Sequence, residues 1–428
     1  MKSHSTSATC GLLALGLLII PVQTPCGNAQ AQVADQTQGK MGDDALLETN
    51  LETEKIAYRL KFESCKTRIA KDPENANLQR ELSIIHNEFG DIAMALGDLS
   101  GAARAYNAGL GISKELAALD PENTEWQRDL SVGYVKWGEV ALAQGLLPAA
   151  TDAFTASLEI LGKLVELDPE NTQWQGDLSL SLNKLGDIAV ARGDLAAAIK
   201  VYTAAMEIRK KLGASAPDDT ELQRSLLVSY EKFGDIALAQ GDLPAASKAY
   251  TSCMEISVAL TALHPENLGW QRDLSVCYEK LGDIAVAQRD LPAAAKAFAA
   301  SMEIRKKLAS SDTSNTMFQR DLLIAFQRQG NMAMEQKDFP AAYVAYTASV
   351  EINKALTAHD PENTQWQQDL ALGIYKLSNA AEDQGNVLET RMLFLESYDI
   401  LKNLSDKGKH LSPISVELLA LLKEVLGK

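Results

Sequence analysis

The sequence is poor in the residues on which most protein chemistry depends. Its 428 residues hold five cysteines, five histidines and only 6% aromatic side chains. Cys10 and Cys26 fall within the first 31 residues, which leaves Cys65, Cys253 and Cys277. An odd remainder is no disulfide framework, although one bridge between Cys253 and Cys277 stays open in an oxidising compartment. No Cys-x-x-Cys pair occurs, which removes zinc ribbons and thioredoxin-like redox chemistry. His86, His264, His359 and His410 lie far apart, and no His-Glu-x-x-His spacing is present. There is neither a phosphate-cradling glycine loop nor a Gly-x-Ser-x-Gly elbow. We therefore expect no metal, no cofactor and no catalysis. Positive charge is also short: 41 Lys and Arg stand against 57 Asp and Glu, a net charge of −16. That balance argues against nucleic acid, whose phosphates demand clustered cations, and against an anionic membrane surface.

Long apolar runs are missing with one exception. Cys10 to Ile20 is apolar and uncharged, follows Lys2 and ends at Pro21; Ala29-Gln30-Ala31 then places small residues where a signal peptidase reads. The run is too short to span a bilayer. Residues 1–31 read as a cleavable signal peptide, giving a periplasmic or secreted protein. Residues 32–43 read as a flexible linker.

What is present is repetition. Pro73, Pro121, Pro169, Pro217, Pro265 and Pro361 lie on one 48-residue lattice, four of them in an Asp-Pro-Glu-Asn quartet. Leu82, Leu130, Leu178, Leu226, Leu274, Leu322 and Leu370 form a second column with the same step. Within the fourth copy, Leu222, Leu226, Tyr230, Phe233 and Ala237 recur at three- and four-residue intervals, an amphipathic helix. Gly241 supplies the left-handed residue that closes it, Asp242 an N-cap, and Pro244 sits in the first turn of the next helix. No segment alternates with period two, so no strand is expected.

These residues resemble the tetratricopeptide repeat family, in a bacterial-type variant with 48-residue repeats. Its Leu-Gly pair is matched by Leu185-Gly186 and Leu281-Gly282. Its small residue four before an aromatic is matched by Ala198 and Tyr202, Ala246 and Tyr250, Ala294 and Phe298; its closing proline is matched by Pro169, Pro217 and Pro265. The family's repeat is 34 residues, so each helix here is longer by seven residues, about 10 Å of rise, at the end away from the Gly-Asp turn. The resemblance implies an all-α, right-handed solenoid of antiparallel helix pairs. Residues 44–71 read as an N-terminal capping helix, 72–404 as seven helix pairs, and 405–428 as a linker and C-terminal capping helix.

Two recurrent charge patterns are the candidate sites. One column reads Asp91, Glu139, Asp187, Asp235, Asp283; three residues earlier runs a cationic column that includes Lys184, Lys232 and Lys280. One reading is a solvated face of i,i+3 ion pairs. The other follows the resemblance, which places the residue after the Leu-Gly glycine in a concave groove; an acidic row there suits a basic or amide-rich peptide. The second pattern is Gln-Arg-acid, as at Gln127-Arg128-Asp129, read as the exposed first turn of the first helix. The half-apolar tryptophans Trp126, Trp174, Trp270 and Trp366 read as edge packing. The expectation is a non-catalytic scaffold or adaptor in the cell envelope that binds protein or peptide; the alternative is a binder of glycans or cell-wall fragments.

Overall fold

The computed structural model describes residues 44–428; the signal peptide and linker read from the sequence lie outside the described residues. Among the described residues there are sixteen α-helices and no strand. Helix α1 (Asp44–Ile69) is followed by seven pairs. These are α2 (Ala76–Ala95) with α3 (Leu99–Leu119), α4 (Thr124–Ala143) with α5 (Leu147–Leu167), α6 (Thr172–Ala191) with α7 (Leu195–Ser215), and α8 (Thr220–Ala239) with α9 (Leu243–Leu263). They continue with α10 (Leu268–Ala287) and α11 (Leu291–Ser311), α12 (Thr316–Glu335) and α13 (Phe339–His359), and α14 (Thr364–Asp383) and α15 (Val387–Asp406). Helix α16 (Pro413–Leu426) ends the array. From α4 onward, each first helix begins 48 residues after the last.

The quartet that repeats in the sequence starts each first helix. Its asparagine is the N-cap: Asn123, Asn171, Asn267 and Asn363 each accept a backbone N–H from the tryptophan three residues on. An unsatisfied donor of the first turn is thereby paired. The bond uses the backbone N–H alone, and Leu78, Leu222 and Phe318 make it in other repeats; the tryptophan side chains lie half-buried at the helix start. The second helices are capped by Asp98, Asp194, Asp242, Asp290 and Asp338. Between the two helices the chain turns through a left-handed residue, Gly97, Gly145, Gly193, Gly241 and Gly385.

The helices fall into two compact units that divide at Leu260 and Thr261. In each, the helices pack in sequence order, as a solenoid does. In the N-terminal unit α2 packs on α3, α4 on α5 and α6 on α7, while α3, α5 and α7 pack on the first helix that follows. First helices also meet one another, α2 with α4 and α4 with α6. In the C-terminal unit the same order joins α10 through α15, and α16 closes on α15 and α14.

The core of the first six pairs is a ring laid on a glycine. A Cβ on Gly138 would stand 2.8 Å from the ring of Phe154, and one on Gly234 2.7 Å from the ring of Tyr250. The Leu-Gly glycine therefore lets the second helix's aromatic touch first-helix backbone. Gly90, Gly186, Gly282 and Gly330 do the same for Tyr106, Tyr202, Phe298 and Tyr346. Phe154 and Tyr250 are fully buried, each stabilising its pair by about 2–3 kcal/mol.

Candidate functional site: a paired charge ladder on the first helices

Asp91, Glu139, Asp187, Asp235 and Asp283 lie on α2, α4, α6, α8 and α10, each one residue after the ring-packed glycine. The ring that rests on the glycine brings its hydroxyl to the acid. Tyr106 Oη donates to Asp91 at 2.7 Å, Tyr202 to Asp187 at 2.6 Å and Tyr250 to Asp235 at 2.5 Å. Where the ring is Tyr346 the acceptor is Asn331, at 2.8 Å. Where it is Phe154 or Phe298, Glu139 and Asp283 receive no such bond.

The lysines of the second column complete the arrangement, though not along one helix. Lys136 pairs with Asp91 at 2.6 Å, Lys184 with Glu139 at 2.7 Å, Lys232 with Asp187 at 2.5 Å, and Arg328 with Asp283 at 2.8 Å. Each cation thus reaches back to the acid of the preceding repeat, 45 residues earlier. The solvated i,i+3 pairs read from the sequence are replaced by bridges between repeats. Most of these groups are half-buried rather than solvated. Lys232 also stands 5.6 Å from the centre of the Tyr202 ring, a cation–π contact that favours its charge.

Burial and pairing compete at these positions. Burial opposes the charge on Lys184, but Glu139 outweighs it and holds the ammonium pKa above the usual lysine range. Asp283 shows the opposite balance: burial pushes its carboxyl up to about 6 despite Arg328 beside it, and the neighbouring Glu279 adds repulsion. Lys280, on the same turn, works against that rise. Glu279 is itself bridged to the buried Arg305, so the two carboxylates share one cationic cluster. At the last rung Lys376 faces the position of Asn331, with no carboxylate paired to it among the described residues. Burial, together with the positive charge of Arg328, lowers its pKa to about 8, against the pull of Asp369.

The Gln-Arg-acid motif is also a joint between repeats, and the exposed first turn read from the sequence is corrected here. Arg80 meets Asp129 at 2.5 Å, Arg128 meets Asp177 at 2.7 Å and Arg272 meets Asp321 at 2.5 Å. Asp321 is buried. The glutamines tie the linker down: Gln79 and Gln127 donate to the carbonyls of Pro73 and Pro121, each at 3.2 Å. The tyrosine hydroxyls and these arginines were not recognised as partners from sequence, although aromatic and acid both recur at fixed offsets.

No group of three or more His, Cys, Asp or Glu able to hold a metal occurs among the described residues, and no described helix is long and apolar enough to cross a membrane. His86 is half-buried, its ring edge-on to Phe62 at 5.4 Å; Cys65, Cys253 and Cys277 are buried. An open depression on α15 is lined by Met392, Leu393, Leu395, Ile400 and the acids Glu389, Glu396 and Asp399, with no aromatic ring.

The profile of the tetratricopeptide repeat matches residues 180–212, which run from the middle of α6 through most of α7. That stretch of the chain is similar to a tetratricopeptide repeat. No curated relative matches it. Similar solved structures include BtubC from P. vanneervenii, 17% identical with a TM-score of 0.48, covering 62% of this chain and 94% of that one. The apo form of RapI is 11% identical, with a TM-score of 0.47 and coverage of 76% and 99%. YrrB, described as a tetratricopeptide-repeat protein with an unusual peptide-binding site, is 16% identical, with a TM-score of 0.32 and coverage of 58% and 96%.

Proposed function

We propose that the chain is a non-catalytic protein-binding scaffold in the cell envelope, periplasmic or secreted, that takes an extended peptide segment along its first helices. The observation that carries this is the ladder itself: a row of hydrogen-bonding groups at one residue per repeat on the first helices, of which α2, α4 and α6 meet one another in the N-terminal unit. Asp91, Glu139, Asp187 and Asp235, with Lys184 and Lys232, form it in the N-terminal unit; Asp283 and Lys280 continue it in the C-terminal one. Most of the acids already hold a cation from the next repeat. A purely basic partner must displace that cation, whereas an amide side chain can accept from the lysine and donate to the acid together. Amide-rich segments are therefore favoured over basic ones.

The test is fluorescence anisotropy with Asn/Gln-rich, Lys/Arg-rich and Asp/Glu-rich peptides of equal length. The amide-rich peptide should bind most tightly and with little dependence on salt. Lys232→Met should weaken it. Equal binding of all three peptides, or no effect of Lys232→Met in a folded variant, overturns the reading. Export rests on the leader sequence, and intact-mass analysis of the envelope fraction should give a mature chain beginning at Gln32. A cytosolic chain retaining Met1 overturns that part.

A further inference from the structure

Two second helices carry an arginine in the interior, and the chain supplies a counter-charge to only one of them. Arg209 on α7 and Arg305 on α11 lie two lattice steps apart and are 8% and 2% exposed. Both guanidinium groups are held in the same frame. Arg305 Nε donates to Ser275 Oγ at 3.3 Å, and Nη1 to the Asp321 carbonyl at 3.0 Å. Arg209 Nε donates to Ser179 Oγ at 2.9 Å, and Nη1 to the Ser225 carbonyl at 2.6 Å and to Ser229 Oγ at 3.2 Å. Ser179 is the lattice equivalent of Ser275, and Ser225 that of Asp321.

The frames differ at Nη2. On Arg305 that nitrogen is bridged to Glu279, which also meets Arg328 at 3.5 Å. Two lattice steps earlier, Asn183 stands where Glu279 does. It is neutral and one methylene shorter, it is 4% exposed, and its Oδ1 has no hydrogen-bond partner among the described residues. No other acid makes up the difference. Asp177 is bridged to Arg128, Asp187 to Lys232 and Glu207 to Lys210, which accounts for every carboxylate of α6 and α7. The serines accept from Arg209 but bring no charge. Burial lowers the Arg209 pKa to about 10, the direction expected of a cation taken from water without a counter-ion.

Leaving a buried charge uncompensated is costly, and what the side chains lack an anion from solution can supply. The C-terminal unit shows where it would sit, on Nη2, and that the position is reachable, since the Glu279 side chain is 13% exposed. Removing one methylene from that side chain frees a space on the order of one water's share of the liquid, about 30 Å³. That suits chloride and is too small for a bulky organic acid. Turning the Asn183 amide about its last torsion exchanges Oδ1 for Nδ2, so the amide and Nη2 can donate to one ion.

We propose that Arg209 and Asn183 form a binding site for a small monovalent anion of chloride size, set among α6, α7 and α8. The anion does there what Glu279 does for Arg305. It neutralises a guanidinium that ties a second helix to both flanking first helices, through Ser179 on one and Ser225 and Ser229 on the other. The stability of that joint then depends on anion concentration.

Thermal unfolding of the full chain in sodium chloride and in sodium gluconate, at equal ionic strength, tests this. Chloride should raise the native midpoint by about 2–4 °C over gluconate. Asn183→Glu supplies the carboxylate and Arg209→Met removes the cation; each should keep native helical circular dichroism and melt alike in the two salts. Glu279→Asn opens an equivalent site in the C-terminal unit and should enlarge the chloride effect. General salt effects act on all four proteins alike, so the difference between native protein and variants is the readout. Chloride NMR should show saturable line broadening with the native protein and none with Asn183→Glu. A native protein no more sensitive to chloride than both Asn183→Glu and Arg209→Met overturns the proposal, and water then joins Arg209 to Asn183. Saturable chloride binding that survives in both variants overturns it too, because the ion then binds elsewhere.

Discussion

The same rung of the ladder is built in opposite ways in the two units. In the N-terminal unit Lys184 is paired with Glu139, and the carboxylate more than offsets what burial costs the ammonium. In the C-terminal unit Lys376 occupies the same column, but the acid's place is taken by Asn331, whose Oδ1 is already used by Tyr346. Burial then dominates and the lysine titrates at about 8. The turns differ in parallel. Every pair in the N-terminal unit turns through glycine, whereas Arg289 and Lys337 take the left-handed conformation in the C-terminal unit, at φ 61° and 58°. The ring-packing glycine persists through Gly330 and becomes Ser378 in the last pair. Near-identical repeats thus share a backbone lattice while differing in how far each local rule is obeyed, and the lapses gather in the C-terminal unit.

The largest expected effect breaks the feature that both units share. Gly138→Ala places a methyl against the buried ring of Phe154, and the overpacked pair should lose roughly 2–3 kcal/mol in urea unfolding. Gly162→Ala, where a Cβ meets nothing within 4 Å, is the control and should be neutral or slightly stabilising. If Gly138→Ala is as neutral or stabilising as the control, the ring yields to the methyl and helix propensity, not close packing, decides the effect at the glycine column.

Substituting the two lysines should then separate the units by sign. Lys184→Met strands Glu139 in a half-buried site and should cost roughly 2 kcal/mol. Lys376→Met removes a half-buried charge with no carboxylate bridged to it and should add about 1–2 kcal/mol at pH 7. A cation whose folded pKa is depressed destabilises the fold fully below that pKa. The gain from Lys376→Met should therefore be complete below about pH 8 and fade as pH rises toward 10.5. Supplying the missing acid by Asn331→Asp should raise the lysine's pKa and shrink that window. Thermal melts from pH 6 to pH 10.5 read both; the same sign for the two lysines would remove the distinction.

Asp283 sharpens the comparison from the acid side. Its folded pKa of about 6 lies above the ordinary 3.8, so the folded state binds that proton more tightly than the unfolded chain. Its contribution is present below pH 3.8 and is lost as pH rises through about 6. The native protein's melting temperature should carry a falling component across that window, and Asp283→Asn should flatten it. An unchanged slope would place the titration elsewhere in the Glu279–Arg305–Arg328 cluster.

Much of this architecture was legible in the sequence, and the limit falls at an identifiable place. The 48-residue columns gave the helix pairs, and the Asp-Pro-Glu-Asn quartets and Gly-Asp pairs gave their starts and turns, because caps and left-handed residues are local requirements. The ion pairs were not legible. A lysine column three residues before an acid column is satisfied equally by a bond within one helix and by a bond 45 residues on, since 48 less three is 45. Only the spacing between helices decides between them. The Arg-to-Asp joints, 49 residues apart, were hidden in the same way. The groove role of the acids was read from resemblance, and the partners that already occupy them come from packing that no column records.

The smallest effect is expected at the turns. Lys337 adopts a left-handed conformation in which its Cβ crowds the following carbonyl, a strain of about 1 kcal/mol that glycine does not carry. Lys337→Gly should therefore stabilise the C-terminal unit by about 1 kcal/mol, although glycine is more flexible when unfolded and recovers part of that difference. Gly241→Lys should destabilise the N-terminal unit by a similar amount, because Gly241 sits at φ 77° with open space around its Cα, so that backbone strain alone is measured. Chemical denaturation of both single variants, with hydrogen exchange to assign each change to its unit, makes the test. A gain at Lys337 matched by a loss at Gly241 means the two turns share one conformational requirement, met by residue type in one unit and by strain in the other. If Lys337→Gly gains nothing, contacts of the lysine side chain compensate the strain, and the turns of the C-terminal unit are not the weaker ones.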